Sequence, residues 1–181
     1  MWHASTSRMQ KRLNGWDYAS NGAYFITVCT AARRPLLGAL HGDVVVSSTI
    51  GRIALEQLRI LGDSTRGIDV GAHVLMPDHI HVILMLTGQC RGRAPLEASV
   101  ASWKASVTRE ARQRAVSAPA ALLWQRGFYD RVIRNEREFD ALSEYIDTNP
   151  LRLALATAAK GWLDRLRVPG DAAAGDDIQE P

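Results

Sequence analysis

Residues 76 to 86, MPDHIHVILML, set His79 and His81 two apart at the head of an almost wholly apolar run, in a chain of 181 residues with five histidines. If the run is a strand, side chains at i and i+2 point the same way. The two imidazoles then share one face while Ile80, Val82 and Leu84 line the other. Two imidazoles on one face can hold a divalent cation, yet a usual site takes three or more protein or substrate atoms. Taken alone, an HxH more often has one histidine hydrogen-bonded at a sheet edge and the other partly exposed. A partner is therefore needed, and FDALSEYIDTNP offers one: Tyr145 and Asn149 are four apart, so a single helix presents a phenol and an amide on one face, one turn apart. Tyr145 also suits the edge of a core, and Asn149 suits a helix end before proline. Glu144 and Asp147 are the natural carboxylate alternatives as ligands, but neither is four from the tyrosine and both fit a solvated face. Spacing alone leaves the choice open.

The elements that must position these residues can be read from periodicity and punctuation. AYFITVCTA, residues 23 to 31, is aromatic and β-branched and predicts a strand. A second extended segment runs through LLGAL and VVVSS with a turn at HGD. STIGRIALEQLRILGD opens on Ser or Thr, recurs in apolar residues at Ile53, Leu55, Leu58 and Leu61, and stops at Gly-Asp, which predicts a helix. GIDVGAHVLM and HIHVILML predict two strands joined tightly at Pro-Asp. After the linker TGQCRGRAP, LEASVASWKASVTREARQRA has helical recurrence, with Trp103 on the packed side and Lys104, Arg109 and Arg112 largely around the exposed side. LLWQRGFYDRVI is extended. NEREFDALSEYIDTN has an Asn cap and acid in its first turns, and is predicted to stop before Pro150, with a shorter helix over LRLALATAAKGW. Strand, strand, helix, strand, strand, helix, extended segment, helix is an α+β order. The economical solution is a two-layer ferredoxin-like sandwich, an antiparallel sheet with helices on one face. One domain over residues 1–168 is expected, with 169–181 as an acidic disordered tail.

The chain is 46% apolar with a formal charge of +3, and that charge is unevenly placed. Residues 1–114 carry 14 Lys or Arg against 8 Asp or Glu, and residues 115–181 carry 8 against 11, a balance of +6 and −3. Nineteen of the 22 basic residues are arginine, which favours multidentate phosphate contact, although a GC-rich genome would produce the same bias. Apolar runs such as HVILML fall far short of the roughly 18 residues of a membrane span, and the N-terminus has no sustained apolar region. No membrane association is expected, and a soluble, unexported protein is. Cys29 and Cys90 form no CxxC and read as small apolar residues in a reducing compartment.

MPDHIH resembles the His-hydrophobe-His signature of the HUH single-tyrosine transposases, and YIDTNP resembles their tyrosine helix. GWDYASNGAYFITVCTAARRPLLG and WQRGFYDRVIRNEREFDALSEYI look like further blocks of the REP-associated tyrosine transposase branch. The likeness runs collinearly over roughly residues 10 to 155. It implies an RRM-like core, a divalent Mg²⁺ or Mn²⁺ cofactor, single-stranded or hairpin DNA as partner, and a monomer or homodimer in the cytoplasm at the nucleoid. By the same resemblance His79, His81 and Asn149 match the metal ligands and Tyr145 the nucleophile. Lys104 falls where relatives often carry a lysine along the DNA cleft, although Trp103 stands where phenylalanine is commoner.

The implied chemistry is cleavage beside a hairpin by tyrosine attack on a phosphodiester, giving a 5′-phosphotyrosine and a free 3′-OH. A cation held by neutral imidazoles and an amide oxygen keeps most of its charge for the phosphate, whereas three carboxylates would cancel it. One covalent bond replaces another, so no ATP is implied, and no GxxxxGK[ST] loop occurs. Tyrosine ordinarily has a pKa near 10, and no dedicated base is identifiable. Arg33, Arg34, Arg91, Arg93, Arg109, Arg112 and Arg126 are candidate DNA backbone contacts, and Trp124, Phe128 and Tyr129 are candidate stacking platforms. Two other readings differ in outcome: a non-catalytic nucleic-acid-binding module of this fold, and a metal nuclease that uses water and leaves no covalent adduct.

Overall fold

A computed structural model describes residues 21–62, 67–87, 96–115 and 123–166, with side chains as far as residue 160. Alternation along β1 (Gly22–Cys29) sends Tyr24, Ile26 and Val28 into the main core. Phe25 packs against a smaller cluster on the other face. A hairpin follows, β2 (Gly38–His41) and β3 (Val44–Ser47), with Gly42 at φ 63° in its turn, a conformation that suits glycine. It is a sheet of its own rather than part of the main one.

Helix α1 (Thr49–Leu61) begins where expected: Gly51 N–H donates to the Ser48 hydroxyl at 3.0 Å, and Gly62 closes the helix. A Cβ on Gly51 would sit 2.0 Å from the Leu37 carbonyl oxygen, so glycine lets the first turn close onto that segment. Strands β4 (Ile68–Leu75) and β5 (His79–Leu86) are joined by a tight turn in which Met76 N–H donates to His79 O at 2.8 Å. Helix α2 (Leu96–Gln113) and strand β6 (Tyr129–Ile133) complete the layer, and α3 (Glu136–Leu166) ends the described chain.

The main sheet has the order β4-β5-β1-β6 and is antiparallel throughout, the ferredoxin-like arrangement. Ile80, Val82 and Leu84 of β5 join Tyr24, Ile26 and Val28 beneath α1 and α2, whose Ile53, Leu58, Val100, Trp103 and Val107 close the core. Each such side chain contributes about 1.5–3 kcal/mol relative to exposure. Trp103 is packed as expected, and its indole donates to the Ala54 carbonyl at 3.1 Å. Sheet, α1 and α2 thus form the expected two-layer sandwich. Helix α3 does not join that helical layer. Its Ile146, Phe139 and Leu142 pack with Ile83, Ile133 and Phe25 on the opposite face, the face that carries His79 and His81.

The expected break before Pro150 is not present: one helix runs from Glu136 to Leu166 with Pro150 inside it. Proline removes its donor to the carbonyl four residues back, that of Ile146, and crowds that carbonyl with its ring. Around it Thr148 Oγ1 donates to Glu144 O at 2.8 Å and Arg152 Nε to Thr148 Oγ1 at 3.1 Å, and Ile146 on the preceding turn is fully buried against the sheet. The predicted start is present, because Asn135 Oδ1 accepts from Glu138 N–H at 2.9 Å while the Glu138 carboxylate accepts from Arg134 N–H at 2.9 Å. Among the described residues no helix is long and apolar enough to cross a membrane. The expected acidic tail lies outside the described residues.

Candidate active site

Cross-strand register decides what surrounds the two histidines. Cys29 on β1 faces His79, and Thr27 faces His81. The Thr27 hydroxyl lies 2.8 Å from His81 Nδ1, and the Asp78 carboxylate accepts from His79 Nδ1 at 2.6 Å. Both outer ring nitrogens are thereby engaged, and the two Nε2 atoms share a hydrogen bond at 3.1 Å, whose proton a bound cation would replace. Donors about 2.0–2.2 Å from one cation and at right angles to it stand about 3.0 Å apart, so the pair has the spacing of adjacent ligands on a single ion. Among the described residues no three His, Cys, Asp or Glu side chains gather to hold a metal, so a third donor from among them would be of another type. Asn149 is buried, and its amide nitrogen has no hydrogen-bond partner, an orphaned polar group of that other type. Amide nitrogen and oxygen exchange places by a simple flip, which would present the oxygen instead. Two imidazoles suit a divalent transition-metal ion, and an amide oxygen would also suit Mg²⁺ or Mn²⁺.

Tyr145 meets His81 within one chain. Its ring centroid is 5.5 Å from that of His81, at an interplanar angle of 63°. Phe25 stacks on His81 at 5.1 Å and meets Tyr145 edge-on at 6.1 Å, so it wedges imidazole and phenol into place. The Arg152 guanidinium carbon stands 5.6 Å from the Tyr145 ring centre. Glu144 and Asp147 are exposed, as a solvated face requires.

Burial, the neighbouring His79 and the Arg33 charge push the His81 pKa down to about 3, so the ring is neutral and fit to ligate. Burial alone would raise the Asp78 carboxyl, but the His79 hydrogen bond with the His79 and Arg33 charges outweighs it and holds the group below its usual range. Arg33 Nη1 reaches Asp78 Oδ2 at 3.3 Å.

The residues expected to contact DNA separate into groups. Arg33 belongs to the site through Asp78, whereas Arg34 Nε donates to Ala31 O at 3.4 Å. Lys104, Arg109, Arg112 and Trp124 line one open groove of about 430 Å³ beside α2, on the other side of the sheet from Tyr145. Lys104 was expected on the exposed side of α2 but is half-buried. Its ammonium donates to Gln125 O at 2.7 Å and Gly127 O at 2.9 Å, and burial lowers its pKa. Trp124 packs on Trp103 at 5.1 Å and donates to Lys104 O at 3.2 Å, so much of its ring serves the core. Arg126 is exposed beside the groove residues in sequence, and Arg91, Arg93 and Cys90 lie outside the described residues. Groove and site are linked at the end of β1, where Thr30 bridges to Trp124 and its N–H donates to Asp78 O at 2.9 Å.

Sequence reasoning did not single out Thr27, Asp78 or Phe25. Asp78 carried a signal, an acceptor directly before a candidate ligand. Thr27 and Phe25 lie on another strand and become neighbours only through register.

No protein-family model matches the chain. An uncharacterized protein of Haemophilus influenzae is 26% identical over 162 residues, covering 80% of this chain and 88% of that protein. Among solved structures, a REP-associated tyrosine transposase bound to a REP hairpin is similar, at 21% identity and a TM-score of 0.54, with 88% of this chain and 93% of that chain covered. This chain therefore shares the fold of that transposase.

Proposed function

We propose that this protein is a metal-dependent enzyme that nicks and rejoins single-stranded DNA beside hairpins, with Tyr145 as nucleophile, in the manner of the REP-associated tyrosine transposases. The observation that carries the reading is the meeting of the Tyr145 ring with His81, whose Nε2 lies 3.1 Å from that of His79. The resemblance of the HIH and YIDTNP motifs and the shared fold support it.

In this reading Tyr145 Oη attacks phosphorus, the bond from phosphorus to the 3′-oxygen breaks, and that oxygen gains a proton as the 5′-phosphotyrosine forms. The free 3′-OH later attacks the same link and releases the phenol. His79, His81 and Asn149 would hold a divalent cation, Mg²⁺ or Mn²⁺, which when bound supplies positive charge to the non-bridging phosphate oxygens. Phe25 and the neutral His81 keep the phenol oriented. Arg109, Arg112 and Arg126 would contact the phosphate backbone of DNA lying along the groove and passing the end of β1 towards Tyr145.

The test is denaturing electrophoresis after incubation with labelled single-stranded hairpin DNA and Mn²⁺. A covalent protein–DNA band supports tyrosine attack. Cleaved DNA without a band indicates a water-using nuclease, and binding without cleavage indicates a non-catalytic module.

A further inference from the structure

We propose that Asp78 and Thr27 are positioning residues that hold the two imidazoles with the proton on Nδ1, Asp78 acting on His79 and Thr27 on His81, so that both Nε2 lone pairs face one divalent cation; the inference rests on the metal-dependent reading above. A neutral imidazole has one donor and one acceptor nitrogen, and only the bare nitrogen ligates. An ionised carboxylate accepts only, so the 2.6 Å contact to Asp78 requires a proton on His79 Nδ1, and in the neutral ring that proton leaves Nε2 bare. A threonine hydroxyl both donates and accepts. At 2.8 Å from His81 Nδ1, Thr27 can therefore receive the Nδ1 proton that ligation through Nε2 demands.

Asp78 is itself held at several points. Arg33 takes its second carboxylate oxygen at 3.3 Å, and Thr30 N–H donates to its backbone carbonyl at 2.9 Å. The segment that delivers Arg33 is costly in backbone terms, since Ala32 and Arg33 have φ of 53° and 54°, the left-handed region that residues with a Cβ rarely enter. Such conformations persist where their surroundings over-determine them, and here the Thr30 hydroxyl also donates to Arg34 O, at 2.6 Å. A carboxylate fixed from both sides presents its Oδ1 to His79 in one orientation. His81 has less need of a rigid partner, because Phe25 stacks on its ring and burial already keeps it neutral.

The experiment combines two readouts on folded protein, with circular dichroism as the check on folding. Long-range proton–nitrogen spectra of ¹⁵N-labelled protein, after EDTA treatment and again with Mg²⁺, report which ring nitrogen carries the proton. Calorimetry with Mn²⁺ reports affinity in the wild type, Asp78→Ala, Asp78→Asn, Thr27→Val and Thr27→Ser. His79 should be protonated on Nδ1 in both spectra, and His81 on Nδ1 once Mg²⁺ is bound. Asp78→Ala and Thr27→Val should each weaken Mn²⁺ binding by about 10- to 100-fold. Asp78→Asn keeps an acceptor oxygen and Thr27→Ser keeps the hydroxyl, so each should recover most of the loss. Unchanged affinity in Asp78→Ala and Thr27→Val, or a His79 ring protonated on Nε2, would overturn the positioning roles. A wild-type protein that binds no Mn²⁺ would instead overturn the metal reading, while the spectra of the EDTA-treated protein would still decide the role of Asp78.

Discussion

The rings of Tyr145 and His81 stand 5.5 Å apart at 63°, although one belongs to the helix that crosses the sheet and the other to a central strand. That contact exists because α3 lies on the face of the sheet opposite α1 and α2. Were α3 in the same layer as the other helices, Tyr145 would face Ile80 and Val82 rather than the histidines.

Burial of a neutral His81 makes stability depend on pH. Its pKa falls from the usual 6.5 to about 3 in the folded chain, so between those values the unfolded chain binds the extra proton. Stability should be fully present above pH 6.5 and decline as pH falls towards 3, by a few kcal/mol. Asp78, also lowered, adds its own loss only below about pH 4, where an ordinary carboxyl begins to protonate. Urea midpoints at pH 7, 5.5 and 4.5 check this, and His81→Leu should show a flatter dependence across that range than the wild type.

The basic groove and the tyrosine site should be separable. Changing Arg109 and Arg112 together to alanine should weaken binding of single-stranded hairpin DNA and reduce the magnitude of the salt slope by about 1.4, at about 0.7 per phosphate contact. Mn²⁺ affinity should not change. Fluorescence anisotropy over a salt series measures the slope, and plain duplex of matched length should bind more weakly than the hairpin at every salt concentration.

Lys104 supports the fold through the loop it ties down. Lys104→Met removes the donor from the carbonyls of Gln125 and Gly127 while keeping most of the aliphatic stem. The expected cost is about 1–3 kcal/mol in urea unfolding, the range for leaving partly buried acceptors unsatisfied.

Much of this architecture was legible in the residues, for physical reasons. The alternation in β1 and β5, the Ser48 cap, the Asn135–Glu138 start of α3 and the packed Trp103 are local signals that tertiary structure reinforced. Pro150 misled because the missing donor is a local signal, whereas the packing of Ile146 with Ile83 and Ile133 that holds the helix is tertiary. Lys104 misled because helical periodicity predicts the outward face of α2 but not the loop that folds over it. His79 and His81 announced a shared face through their spacing. Thr27 became visible as a partner only when register was known, whereas Asp78 carried a signal in standing directly before His79.

Covalent capture of labelled hairpin DNA by the wild type and by Tyr145→Phe, each with Mn²⁺, tests the central claim most directly. Phenylalanine removes one hydroxyl and retains the ring that meets Phe25 and His81, so fold and Mn²⁺ affinity should survive. The account predicts a covalent band for the wild type and none for Tyr145→Phe. A folded Tyr145→Phe protein that still cleaves the hairpin and forms the adduct would contradict it.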